Sequence, residues 1–150
     1  MSCKYLQALL PASESCFSTE LSAHEKGKTF RFITNLKGDI CKLKVDGCLI
    51  SSQTVPKCDY LFYSNSGKEF YFVELKGTDI EKAFEQICAT IKHVNTIANI
   101  QIKKNKIHGF VVSSAVPAAA NQRVRHLQAK FARDIGTRLY VKNRLLEHSV

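Results

Sequence analysis

Long apolar runs are missing from this chain: none approaches the roughly 20 residues that a membrane-spanning helix requires. Residues 4–10 are too short to serve as a secretory signal, and they are interrupted by Gln7 and followed by Pro11. A soluble protein is expected. Closely paired cysteines are also missing. The six stand at 3, 16, 41, 48, 58 and 88, without the spacing of a zinc knuckle or a redox dithiol. With no signal segment they read as reduced thiols packed as small hydrophobes, and the expected compartment is the cytoplasm. Proline is scarce, and Pro11, Pro56 and Pro117 stand at apparent element boundaries. There is no internal repeat or low-complexity stretch. The histidines 24, 93, 108, 126 and 148 form no H-x₃-H pair. Ser113-Ser114 lacks the glycines of a nucleophile elbow, and Gly77 and Gly109 stand alone rather than in a phosphate loop.

What remains is a chain of 150 residues and 16.9 kDa, 45% hydrophobic and 23% charged. That is one domain, long enough to bury roughly two-thirds of its unfolded surface without a metal or disulfide staple. Its net charge of +9 is unevenly distributed. Residues 1–100 carry a net +1 and residues 101–150 a net +8. A basic final third on a neutral remainder is the footprint of a polyanion binder, nucleic acid above all.

Periodicity divides the chain into elements. The first 27 residues read as helical pieces, with Phe17, Leu21 and His24 at helical spacing before Gly27. Residues 30–34 have the aromatic and β-branched content of a strand, and 41–46 alternate apolar with charged. Gly38-Asp39 fits a hairpin turn between these two. Strands over 60–63 and 70–76 flank the turn 64–67. Ile80, Ala83, Phe84, Ile87, Ile91, Val94 and Ala98 then form one helical stripe, capped by Thr78 or Asp79. A strand at 107–113, a helix at 118–135 and a short strand at 139–141 complete the order. Such alternation predicts a mixed α/β sheet with helices packed on it.

The strand 70–76 carries the chemistry. Phe70 and Phe72 begin one face, Tyr71, Val73 and Leu75 the other, as in a central strand buried on both sides. Yet the first face ends in Glu74 and Lys76, two residues apart and rooted about 7 Å from each other. Charges at the end of a buried strand are costly unless something compensates them. In a hairpin about residues 64–68, Asp59 at the head of the preceding strand lies across from Glu74. Two carboxylates and a lysine converge. With the backbone carbonyl of Leu75 they supply the hard-oxygen half-shell that Mg²⁺ (or Mn²⁺) accepts while keeping its waters. A metal so held lowers the pKa of bound water and neutralises a phosphodiester, with a lysine to orient the water. The plainer reading of the same residues is a structural salt bridge. Asp46-Gly47 reads as a turn whose carboxylate could stand behind the metal ligands.

Asp59, then Glu74-Leu75-Lys76 after 14 intervening residues, then a helix from Asp79, resembles the PD-(D/E)xK nuclease superfamily. The resemblance spans residues 13–116 and implies a restriction-endonuclease-like core of helix, three or four strands, helix and strand. It implies that Asp59 and Glu74 bind the metal and that Lys76 acts on the nucleophilic water. It also implies that Gln86, on the following helix, faces the site. Some members add an acid from the first helix, for which Glu14 and Glu20 are both candidates. Cys58 stands where the family pattern has proline immediately before the aspartate, with Pro56 two residues further upstream.

The expectation is therefore a metal-dependent nuclease acting on DNA rather than RNA. With no room for a separate recognition domain, it would work as a homodimer. Lys103, Lys104 and Lys106, together with Arg123 and Arg125, would line the track of the phosphate backbone. Two rivals stay open: an inactive nucleic-acid-binding module on the same fold, and an interaction subunit whose basic charge meets an acidic partner.

Overall fold

Phe62, Tyr71 and Phe110 point to one side of a central sheet and Leu61, Phe72 and Val111 to the other, and all six are buried. Strands covered on both faces read as continuous apolar runs instead of alternating ones, which is why these segments dominate the sequence pattern. The computed structural model describes residues 3–35, 38–75, 77–115 and 121–150. Its elements are α1 (Lys4–Leu9), β1 (Phe17–Ser18), β2 (Ser22–Glu25), β3 (Lys28–Ile33), β4 (Ile40–Lys44), β5 (Tyr60–Ser64), β6 (Glu69–Glu74), α2 (Ile80–Ala98), β7 (Ile107–Ser113), α3 (Asn121–Asp134), β8 (Arg138–Asn143) and β9 (Leu145–Ser149). The start expected for α3, at 118, falls outside the described residues.

A six-stranded sheet runs in the order β1-β4-β5-β6-β7-β8, antiparallel from β1 to β6 and parallel from β6 to β8. The mixed α/β architecture is thus as expected. The helices share one face of the sheet. Ile80, Phe84, Ile87 and Ile91 of α2, Leu127 and Phe131 of α3, and Leu6 of α1 form one core with Leu61 and Phe72. Asp79 caps α2, its carboxylate accepting the Lys82 amide at 3.1 Å. Gly109 of β7 lets α3 sit close: a Cβ there would come within 2.9 Å of Leu139 and 3.0 Å of Phe131.

Among the described residues, the opposite face carries no helix. It is covered by a second sheet of order β2-β3-β9, whose Phe30, Phe32 and Leu146 pack on Phe62, Tyr71, Val73 and Phe110. Three expectations are corrected here. Phe17–Ser18 and Ser22–Glu25 form strands where the spacing predicts a helix. Gly27 (φ 79°), together with Lys26 (φ 45°), makes the two-residue turn of the β2–β3 hairpin, in which Glu25 faces Lys28. Two successive left-handed residues match the twist of such a hairpin. Gly38-Asp39 does not join paired strands, because β3 and β4 belong to different sheets. Asp39 instead accepts the Ser66 amide at 2.8 Å and the Ser64 hydroxyl at 3.0 Å, bracing the β5–β6 turn.

The cysteines also differ from expectation. Cys3 is bonded to Cys41 and Cys16 to Cys48, leaving Cys58 and Cys88 as free thiols. Both bonds tie the segment carrying α1 to β4 and the turn after it. Sequence separations of 38 and 32 residues give no local spacing signal. Stable disulfides belong to oxidising surroundings, so the reading of these four as reduced thiols is overturned. Among the described residues, no helix is long and apolar enough to cross a membrane.

Candidate functional site

Two strands meet at the site. In the β5–β6 register Tyr60 is opposite Val73, so the next step outward takes Asp59 to the level of Glu74. The Asp59 amide donates to the Val73 carbonyl at 3.1 Å, and the Asp59 carbonyl accepts the Val45 amide at 2.9 Å. The head of β5 is thereby held between β4 and β6. The Asp59 side chain reaches back across the pair: its Oδ2 accepts the Leu75 amide at 2.8 Å. Asp59 is 4% exposed and Glu74 1% exposed. Asp59 and Glu74 thus stand at the same level of adjacent strands, with the Leu75 backbone drawn against Asp59. Lys76 lies outside the described residues.

Cys58, beside Asp59, is fully buried. Burial pushes its thiol well above the ordinary range, and the Glu74 and Asp59 charges push the same way against a Thr90 hydrogen bond. It is therefore a packed thiol and no nucleophile. The Cys58 amide donates to the Thr90 hydroxyl at 2.8 Å, and that hydroxyl donates to the Gln86 carbonyl at 2.8 Å. This relay pins the first half of α2 to the head of β5 and fixes where Gln86 sits.

Two small cavities adjoin there. One, of about 210 Å³, is lined by His24, Glu25, Lys44, Asp46, Asp59 and Tyr60. The other, of about 310 Å³, is lined by Lys57, Lys82, Gln86 and the 53–56 loop, again with Asp46. Asp46 borders both. Gln86 therefore faces the neighbouring cavity, while Asp59 lines the first. Lys57 is a residue that sequence reasoning did not single out. It follows Pro56 in a polar stretch, and nothing local marks it as buried. His24 and Glu25 were hidden by the helical reading of 17–24.

The acids considered for the first helix are elsewhere. Glu14 lies in a 3-10 turn, and Glu20 pairs with Lys42 at 3.3 Å beside a separate cavity. Among the described residues, no three side chains of His, Cys, Asp or Glu are grouped to hold a metal ion. The donor set is two buried carboxylates on adjacent strands, one oxygen of which already accepts an amide. Such a set suits a divalent ion that retains most of its waters, not one caged by protein ligands.

The basic residues divide between the two ends of the sheet. Ile107 is opposite Phe70 and Val111 opposite Glu74, so the turn at 104–106 enters β7 about four residues, or roughly 13 Å, from the carboxylate end. Lys106 donates to the Gly67 carbonyl at 3.1 Å and Lys104 to the Arg133 carbonyl. Lys103, Lys104 and Lys106 thus gather at the far end. Arg123 pairs with Glu81 in the first turn of α2, at the carboxylate end, and Arg125 is exposed on the same turn of α3. Comparison with known proteins finds no matching family model, no similar curated protein and no similar solved structure.

Proposed function

We propose that this chain is a metal-dependent nuclease of the PD-(D/E)xK type, hydrolysing phosphodiester bonds in DNA. The observation that carries the reading is the pair of buried carboxylates, Asp59 and Glu74, at the same level of adjacent strands, with the Leu75 amide on Asp59. The sheet order β4-β5-β6-β7 with α2 between β6 and β7 agrees with the resemblance noted from the sequence. Asp59 and Glu74 would hold Mg²⁺ or Mn²⁺, the ion supplying an acidified water and charge neutralisation when bound. The protein's own part is to fix the donors. The Leu75 amide orients Asp59, the strand end holds Glu74, and the Thr90 relay sets Gln86. Lys76 would orient the attacking water, and two copies would present two sites to a duplex.

A second reading has an observation of its own. Among the described residues no three His, Cys, Asp or Glu side chains are grouped as metal ligands, which favours an inactive nucleic-acid-binding module on this fold. Incubation with single-stranded, duplex and branched substrates in Mg²⁺, Mn²⁺ or EDTA separates the two. Metal-dependent cleavage that is lost in Glu74→Gln supports the nuclease. Binding without cleavage in every metal supports the module. The cytoplasmic address expected from reduced cysteines loses its basis with the two disulfides.

A further inference from the structure

We infer that the cavity beside the carboxylate pair is a phosphate pocket, built on Lys57 and Lys82, that takes the terminal phosphate monoester of a nucleic-acid strand; the choice of a strand as the phosphate's source rests on the nuclease reading. The observation behind it is the state of Lys57. The residue is 9% exposed, and its ammonium donates to the Ser52 carbonyl at 2.6 Å and the Val55 carbonyl at 3.0 Å. No Asp or Glu among the described residues lies within ion-pair distance of it. A cation withdrawn from water onto neutral carbonyls has no carboxylate in direct contact, and an anion entering the adjoining space gains its attraction.

The space is shaped for one. It holds about 310 Å³ and is lined by Lys57, Lys82, Gln86 and Thr54, together with the acids Asp46 and Glu85. Lys82 and Gln86 stand one helical turn apart on α2, so they project from the same face. They bring an ammonium and an amide donor to the lining of the same cavity as Lys57. A phosphate monoester carries close to two negative charges at neutral pH, as a phosphorylated side chain does, and matches two lysines better than a singly charged diester. Asp46 and Glu85 bring the empty pocket near neutrality, so free phosphate binds weakly and a strand, adding its own contacts, binds more tightly. Asp46 also borders the Asp59 cavity. A strand end held by Lys57 therefore leaves its adjoining nucleotides beside the carboxylates.

The test uses the full chain in EDTA, so that no cleavage is required. Inorganic phosphate at tens of millimolar should raise the melting temperature by a few degrees over sodium chloride of equal ionic strength. Lys82→Ala, on the exposed helix surface, should remove most of that rise, as should Lys57→Met. If Lys57→Met fails to fold, Lys82→Ala decides alone. An oligonucleotide with a terminal phosphate should bind about tenfold more tightly than the same strand without one, a difference that Lys82→Ala abolishes. A mononucleotide binding as tightly as the phosphorylated strand would keep the pocket and overturn the strand as its source. Equal melting temperatures in phosphate and chloride, or a full phosphate effect in Lys82→Ala, would overturn the pocket. Phosphate binding intact in a chain that cleaves nothing would retire the nuclease reading and leave the pocket standing.

Discussion

The carboxylate of Asp59 accepts the amide of Leu75 at 2.8 Å, tying the head of β5 to the residue that follows the last position of β6. The bond is buried and joins residues 16 apart in sequence. It gives Asp59 a structural task as well as a chemical one, and the two tasks separate by substitution. Asp59→Asn keeps an acceptor for the amide and should unfold near the wild-type midpoint. Asp59→Ala leaves a buried N–H without a partner and should cost about 1–3 kcal/mol in denaturant unfolding. Cleavage should be lost in both. Activity retained in Asp59→Asn would take the carboxylate out of the chemistry.

Thr90 is fully buried and serves two masters, accepting from Cys58 and donating to Gln86. Thr90→Val keeps the volume and strands the Cys58 amide, so a loss of about 1–3 kcal/mol is expected. Thr90→Ser, which keeps the hydroxyl, should lose less. A larger loss in Thr90→Ser than in Thr90→Val would show that packing of the methyl group, rather than the relay, holds α2 against β5.

The disulfides make a direct prediction. Denatured without reductant, the chain should expose two titratable thiols, from Cys58 and Cys88, and all six only after reduction. Each closed loop is long enough for its bond to contribute about 2–4 kcal/mol. Reductant should therefore lower the melting temperature markedly. Six free thiols in the untreated protein would show that the bonds do not form.

His148, on β9, is wedged between the sheets, its ring 5.0 Å from Phe110 and 5.2 Å from Tyr140. Burial holds its pKa below the usual histidine value, and the charges of His108 and Arg138 act in the same direction while Glu69 opposes them. The unfolded chain takes up this proton near pH 6.5, and the folded chain resists it. Stability present above that pH is thus lost as pH falls from about 6.5 through the lower folded value. Unfolding free energies measured between about pH 7.5 and 5.5 should decline in the wild type and flatten in His148→Gln. Parallel curves for the two would assign the decline to other groups.

The two basic clusters should behave differently towards DNA. Arg125→Glu, at the carboxylate end, should weaken duplex binding and reduce the log–log salt slope by about one. Lys104→Glu and Lys106→Glu act at the far end, where their ammonium groups already meet backbone carbonyls. They should leave the slope close to that of the wild type. The reverse ranking in a salt titration would move the nucleic-acid path to the other end of the sheet.

What the sequence determined by itself is whatever a local period encodes. The stripe on α2, its Asp79 cap, the apolar runs of β5, β6 and β7 and the turn at 64–67 all report the burial of neighbouring residues. From them the Asp59–Glu74 convergence follows by the geometry of one hairpin. The rest depended on contacts between distant segments. Residues 17–25 have helical spacing, yet 17–18 are used as the edge strand beside β4 and 22–25 as the strand beside β3 in the sheet that covers the second face, where Phe30 and Phe32 find partners. The disulfides join cysteines that only the folded chain brings together. Lys57 looks like any polar loop residue until the fold closes over it. Lys104 and Arg123 belong to one basic stretch of sequence, but β7 and the chain leading from it carry them to opposite ends of the sheet. Charge composition records how many cations a segment has; the parallel pairing of β6 with β7 decides which of them stand near the carboxylates.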